Sequence, residues 1–490
     1  LLQNDWFVKT QPKHEVFVSI IEVLYKLNIL QLGSQVIQVF LESIYYIALF
    51  LISRFVILNC YYKSRPTNQV ANLLATIVIF VAILLRESNS ISWLISQFDY
   101  FFHTNLYYWW SIFQSWIFDG FAGQRILEEQ LLPSEFGVFI LLAIALALHS
   151  RWRIATLLLA ITVNLHFSYS IHCGVLVFIF MGWLFWKREW SLSVQLSLIF
   201  GLVVLPVTLH SLTFLNDSSA LSVNEFLVLE VWRSHSLPSQ FWGFGHTFKL
   251  LIMIISGILL FRFKLYFLAI LVGIATLSII FGTLYVQVAS DYTVALMFPW
   301  RASVYLVPLT IIIIASFLIQ IPHLILAPLK FYIAKILLIA AVCLVFIEGL
   351  NFINTKFIQP PKLDLKQPIF DGIARSTSPQ DIILVPLDPP DHLVAQLDNV
   401  IAARFWGYAR LGAQRAIYVD TTSVPMLGID VIEWQDRIKF VEMFYQQSFE
   451  RQMELCKQND IDYFITESVE NASDIMPVII MDRFYLYSCG

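Results

Sequence analysis

The chain has 490 residues, of which 58% are hydrophobic and 13% charged, a balance far outside that of soluble globular domains. That composition belongs to multi-pass helical membrane proteins. A formal net charge of -4 without any basic domain excludes an electrostatic nucleic-acid binder.

Residues 1–10 are polar and aromatic and include Asn4, Asp5 and Trp6. The chain opens at Leu1 with no basic n-region, so no signal peptide is read and a further span is expected upstream. Over 14–30, apolar residues recur at helical spacing (Val16, Ile20, Val23, Leu24, Leu27) between Glu15, Glu22 and Lys26. This predicts an amphipathic helix lying along the membrane interface. About ten hydrophobic segments follow, at 35–61, 70–85, 136–148, 154–165, 171–186, 192–209, 248–261, 265–288, 295–319 and 331–350. Two of them, 136–148 and 154–165, are too short to cross a hydrocarbon layer of roughly 30 Å unaided. Arg301 stands near one end of the segment 295–319, behind Phe298, Pro299 and Trp300. A cation there must snorkel, pair or meet an anion.

Lys63 and Arg65, Arg151 and Arg153, Lys187 and Arg188, Arg262 and Lys264, and Lys330 fall in alternate loops. Short cytoplasmic loops collect such cations, so these are read as cytoplasmic. The longer, more acidic loops and everything after residue 350 are then extracytoplasmic, and Arg301 opens onto that face. The expected organisation is a first outer loop with its interfacial helix (1–31), a transmembrane helical domain (32–352), a linker marked by Pro360, Pro361 and Pro368 (353–368), and an extracytoplasmic domain (369–490). In that last domain, strand-like runs at 382–387, 416–420, 461–466, 478–481 and 484–487 alternate with helical patterns at 392–408, 429–445 and 450–458. They predict a small α/β domain with a parallel core and a terminal antiparallel hairpin.

Several side chains carry possible chemistry, each with a plainer alternative. Asp5, just before the interfacial helix, is placed to act as a general base toward an acceptor at the lipid boundary, or else is a solvated cap. Asp99, in an outer loop dense with aromatics, would share a metal or orient a substrate, or else satisfy backbone. His166 and His172 flank a turn and read more simply as hydrogen-bonded interior histidines than as ligands. Arg233 and His235, in Trp232-Arg233-Ser234-His235, lie on the same outer side as Arg301. The two guanidinium groups would grip a phosphate together, or anchor lipid head groups separately. Glu433 and Arg437 are spaced for a helix-surface ion pair. Cys456 and Cys489, the two cysteines in polar surroundings, read as free thiols, with a disulfide the alternative in an oxidising space. No Cys/His zinc pattern, Walker loop, GxSxG or dinucleotide fingerprint occurs.

The first outer loop with its aspartate (Asn4-Asp5-Trp6), the amphipathic helix after it, the uneven hydrophobic helices and the C-terminal soluble domain together resemble the GT-C superfamily of polytopic membrane glycosyltransferases. More narrowly, the chain is similar to an uncharacterised bacterial family of multi-pass proteins with a C-terminal extracytoplasmic α/β domain. That similarity lies in Val385-Pro386, Arg415, Val419-Asp420, Pro425, Glu433-Trp434 with Arg437, Asp462-Tyr463, Tyr485 with Tyr487, and the surroundings of His166, Arg233 and His235. The superfamily resemblance implies a polyprenyl-phosphate-linked donor as partner, Asp5 as catalytic base, and Arg301 or Arg233 holding the donor phosphate, with His235, Asp99 and His166 lining the site. No Asp-Asp or Asp-Glu pair adjoins Asp5, and no Trp-Trp-Asp motif occurs. A divalent metal is therefore the one cofactor left open, and protein N-glycosylation is not expected. The expected function is transfer of a sugar to an acceptor on the extracytoplasmic face of a bacterial plasma membrane. The alternatives are a non-catalytic subunit or docking module of a larger membrane complex, and a lipid or solute transporter.

Overall fold

The computed structural model describes residues 5–6, 15–27, 29–60, 67–87, 95, 106–127, 133–215, 223, 225–231, 233–320, 367–387, 410, 413–421, 425, 428–466, 476–481 and 484–490. Two units share the chain. Unit 1 comprises Leu1–Lys13, Asp217–Val223 and Ile353–Gly490, and unit 2 comprises His14–Asn216 and Asn224–Phe352. The expected first loop, 1–31, is therefore divided: its opening residues join the C-terminal unit and its helix joins the apolar one.

Unit 2 begins with α1 (Glu15–Lys26), whose Val16, Val18 and Val23 are exposed and whose Glu22 and Lys26 pair at 2.6 Å. Then come α2 (Leu30–Asn59), α3 (Asn68–Glu87), α4 (Leu106–Phe118), α5 (Val138–Leu148), α6 (Trp152–Leu165), α7 (Ser170–Trp186) and α8 (Trp190–Leu215). Two short helices, α9 (Arg233–Ser236) and α10 (Pro238–Phe241), lead to α11 (Phe244–Arg262), α12 (Tyr266–Ala289), α13 (Tyr292–Leu296) and α14 (Ser303–Leu318). Among the described residues, 6 helices are long and apolar enough to cross a membrane, not the ten expected. The reason is length. The apolar stretch Asn68–Ile83 in α3 is short, and at 1.5 Å per residue the 11 residues of α5 and the 14 of α6 fall short of a bilayer; α5 and α6 pack inside the bundle. The expected segment 331–350 lies outside the described residues.

The stretch Tyr292–Leu318 is the centre of this bundle, with 72% of its apolar window buried against 17–44% for the other candidate spans. Hydroxyl groups fix it to its neighbours, as expected where lipid offers no hydrophobic drive between helices. Ser316 Oγ meets Ser53 Oγ of α2 at 2.8 Å, and Ser256 Oγ of α11 donates to Thr310 O at 3.1 Å. Within the hydrophobic segment 295–319 the helix is broken, because proline disfavours the α-helical region for the residue before it. Phe298 takes a left-handed conformation (φ 47°) and Pro299–Ala302 forms a 3-10 turn.

Three helical hairpins, α5–α6, α7–α8 and α11–α12, use one turn design. Ser150, Arg188 and Lys264 sit at φ 61°, 63° and 63°. The next N–H in each returns to the carbonyl five residues back, Arg151 to Leu146 (2.8 Å), Glu189 to Leu184 (2.9 Å) and Leu265 to Leu260 (2.9 Å), closing Schellman caps. All three turns lie at one end of the bundle. Arg153 Nε donates to Gln195 Oε1 at 2.9 Å, and the Phe267 ring meets Trp152 and Trp183, each at 5.3 Å. The far end of α14 is also there, with Phe317 against Phe263 at 4.7 Å, so Arg301 and Ser303 mark the opposite end.

Unit 1 holds a sheet of order β2-β1-β3-β5-β4, formed by β1 (Ile382–Leu384), β2 (Ala416–Ile417), β3 (Tyr463–Thr466), β4 (Ile479–Met481) and β5 (Phe484–Ser488). β1 runs parallel to β2 and β3, while β5 is antiparallel to β3 and β4. Ile383, Ile417, Ile465, Phe484 and Leu486 form its core with Phe370 and Ile373 of α15 (Gln367–Ser376). That helix begins inside the expected linker, since Pro368 falls in its first turn, where no N–H is required. α16 (Gly428–Phe444) and α17 (Phe449–Gln458) follow β2, and the helix expected at 392–408 lies outside the described residues. Cys456 and Cys489 are joined in a disulfide, Cα–Cα 5.8 Å, which corrects the reading of two free thiols: α17 and the end of β5 bring residues 33 apart in sequence into bonding distance.

Candidate functional site

Asp5 is fully buried in unit 1. Its Oδ2 accepts from Arg410 Nε at 2.7 Å and from the Ile417 N–H on β2 at 2.9 Å. Arg410 Nη1 donates in turn to Asp420 Oδ2 at 2.6 Å, and Trp434 Nε1 donates to Asp420 O at 3.0 Å. Burial opposes the charge on Arg410, but Asp420 and Asp5 outweigh it and hold the guanidinium above its ordinary pKa. The neighbouring Trp6 ring faces Arg437 at 4.8 Å, with Tyr418 at 4.6 Å from the same guanidinium. Asp5 was expected to be a base open to an acceptor. It is instead a clip that fastens the N-terminal segment into unit 1, because closure of the unit brings a buried guanidinium and a strand N–H onto one carboxylate oxygen.

The other motif residues of unit 1 also serve the scaffold. Arg415 donates to Thr377 O (2.7 Å), Thr377 Oγ1 (2.8 Å) and Ala374 O, satisfying carbonyls at the end of α15 where a cation is favoured. Arg437 pairs with Glu433 at 2.9 Å, as the i, i+4 spacing predicts. Asp462 Oδ2 accepts from the Ile382 N–H at 2.7 Å.

Arg301 occupies a different setting, in unit 2. Its Nη1 donates to His166 Nε2 and to Ser168 Oγ, two atoms that lie 2.9 Å apart. The guanidinium stands 5.2 Å from the Phe298 ring centroid and 5.7 Å from that of Tyr169. His172 Nε2 donates to Phe298 O at 3.3 Å and Tyr169 OH to Ser134 O at 2.9 Å, which sets both rings. Arg301 Nε is buried without a hydrogen-bond partner, and no carboxylate pairs with Arg301 among the described residues. A guanidinium among imidazoles, a hydroxyl and aromatic faces attracts anions and repels metal cations. Among the described residues no group of three or more His, Cys, Asp or Glu side chains is placed to hold a metal.

The backbone on either side of Arg301 is locked. Trp300 is fully buried and donates from Nε1 to His235 O at 3.0 Å. Ser303 Oγ accepts the Phe121 N–H at 2.6 Å, and through it the stretch 119–124 folds back into the bundle. Within that stretch, Lys249 Nζ donates to Gly120 O (3.0 Å), His246 Nε2 accepts the Ala122 N–H (3.2 Å) and His235 Nδ1 donates to Ala122 O (2.9 Å). Non-helical backbone buried among apolar helices requires such partners. Asp119 pairs with Arg125 at 2.9 Å beside it. The sequence reading treated this region as plain outer loop. The missed signal was Lys249, a cation inside an apolar helix that has to find a polar partner.

Of the expected site residues, the structure joins Arg301 to His166 directly and to His235 through Trp300, whereas Asp5 belongs to unit 1. Arg233 opens α9, but its side chain, like the whole of Asp99, lies outside the described residues. Gly282 of α12 permits the close approach of Pro299: a Cβ there would fall 2.3 Å from Pro299 Cβ and 2.7 Å from its Cγ. Gly282→Ala is expected to destabilise unit 2 by roughly 1–3 kcal/mol through overpacking. Thermal unfolding in detergent measures this, and a wild-type midpoint would remove the role given to Gly282. Compared with protein-family models, curated proteins and solved structures, the chain matches none.

Proposed function

We propose that unit 2 binds the phosphate of a lipid-linked donor at Arg301, and that the chain transfers the attached sugar to an acceptor on the extracytoplasmic face of a membrane. The binding half is carried by one observation: a guanidinium at the end of the bundle with a hydroxyl and an imidazole as its partners, and a buried Nε left to donate. A phosphate would satisfy both the charge and the fork of N–H donors. The transfer half rests on the resemblance to GT-C glycosyltransferases, in which a polyprenyl phosphate carries the sugar. The base for that transfer is a group other than Asp5.

Two arguments support the compartment. The three cation-bearing turns gather at the end of the bundle away from Arg301, and cations collect on the cytoplasmic side. A disulfide within unit 1 suits an oxidising space. A non-catalytic membrane subunit is the second reading, favoured by the motif residues of unit 1 being engaged in its own scaffold.

Equilibrium binding of a short-chain polyprenyl phosphate to the full chain in nanodiscs tests the proposal. The wild type is expected to bind, and Arg301→Ala to bind roughly 10- to 100-fold more weakly, the worth of charged hydrogen bonds. Absent wild-type binding, or equal affinity of the variant, rejects it. Binding without sugar transfer selects the non-catalytic subunit.

A further inference from the structure

The end of unit 2 opposite Arg301 carries a second charged surface, built into the hairpin turns. Residues 187–189 link α7 to α8 and residues 263–265 link α11 to α12. Lys187, Arg188, Arg262 and Lys264 are all exposed, and among the described residues none of them pairs with a carboxylate. Each turn is also bridged by exposed rings. Phe185 stacks on Trp190 at 4.6 Å, and Phe261 meets Tyr266 edge-on at 5.5 Å. Lys187 Nζ lies 5.3 Å and 5.6 Å from the Trp183 and Trp186 rings.

The left-handed position that closes a Schellman cap is normally glycine, which takes that conformation without steric cost. Here it is filled by Arg188 in one turn and Lys264 in the other, both at φ 63°. In sequence each of these cations falls between the two ring-bearing residues of its turn, whereas Ser150 takes the same conformation in the third hairpin. From these observations we propose that the two turns are seats for anionic phospholipid head groups, the cations meeting the phosphate and the ring pairs lying at the boundary with the acyl chains. The inference rests on the membrane character of unit 2 and is independent of what Arg301 binds.

The test uses the full chain in nanodiscs of mixed phosphatidylglycerol and phosphatidylcholine, with the retained lipids identified by native mass spectrometry. The wild type is expected to retain phosphatidylglycerol in preference, and the preference is expected to shrink as salt rises. Arg188→Gly with Lys264→Gly removes two cations while relieving the backbone. Retention of phosphatidylglycerol is expected to fall roughly tenfold or more, with a thermal midpoint in phosphatidylcholine alone equal to or above that of the wild type. Equal retention of the two lipids by the wild type overturns the proposal without recourse to any variant. Unchanged retention by the folded glycine variant overturns it as well.

Discussion

Arg410→Ala is expected to destabilise unit 1 by roughly 3–5 kcal/mol, the usual loss when one partner of a buried ion pair is removed. The size follows from what the variant leaves behind. The side chains of Asp5 and Asp420 are 0% and 2% exposed, and without the guanidinium these two buried carboxylates lose the cation they share. Asp5→Asn keeps an acceptor for the Ile417 N–H and leaves Arg410 with Asp420, so its loss is expected to be smaller. Thermal unfolding of the full chain, with limited proteolysis to follow unit 1 separately, measures both. A loss below about 1 kcal/mol for Arg410→Ala would place the triad among exposed ion pairs and remove the clip.

The disulfide carries the second large effect. Closing a loop of 33 residues restricts the unfolded chain, so Cys456→Ser is expected to cost about 3–4 kcal/mol. Under non-reducing conditions, alkylation of the denatured protein is expected to leave Cys456 and Cys489 unmodified and to label them after reduction. Labelling of both without reductant would place them as thiols and would also withdraw support for an oxidising compartment around unit 1.

Most of the apolar helices, the amphipathic helix Glu15–Lys26 and the parallel-then-antiparallel order of the sheet were legible, because each is written as a local period of apolar residues. That Arg301 would need polar partners was legible for a related reason: a guanidinium beside an apolar run is conspicuous without any knowledge of what it meets. The break at Phe298 was readable in principle from Pro299, but the length of the apolar run masked it. The returning stretch 119–124 was not, since the groups that hold it, Ser303, His246 and Lys249, come from elements more than a hundred residues away.

Asp5 shows where local reading ends. A carboxylate before an amphipathic helix has the same appearance whether it faces an acceptor or a buried guanidinium, and the difference lies in Arg410, 405 residues further on. The sequence by itself determined the apolar character of the helices in unit 2 and the periodicity of its elements, because hydropathy and helix or strand formation depend on neighbouring residues. Which polar side chains hold the fold, and which keep unsatisfied donors, was decided only by tertiary structure. Hydrogen-bond and charge satisfaction depend on distances between groups that the chain brings together only when it closes.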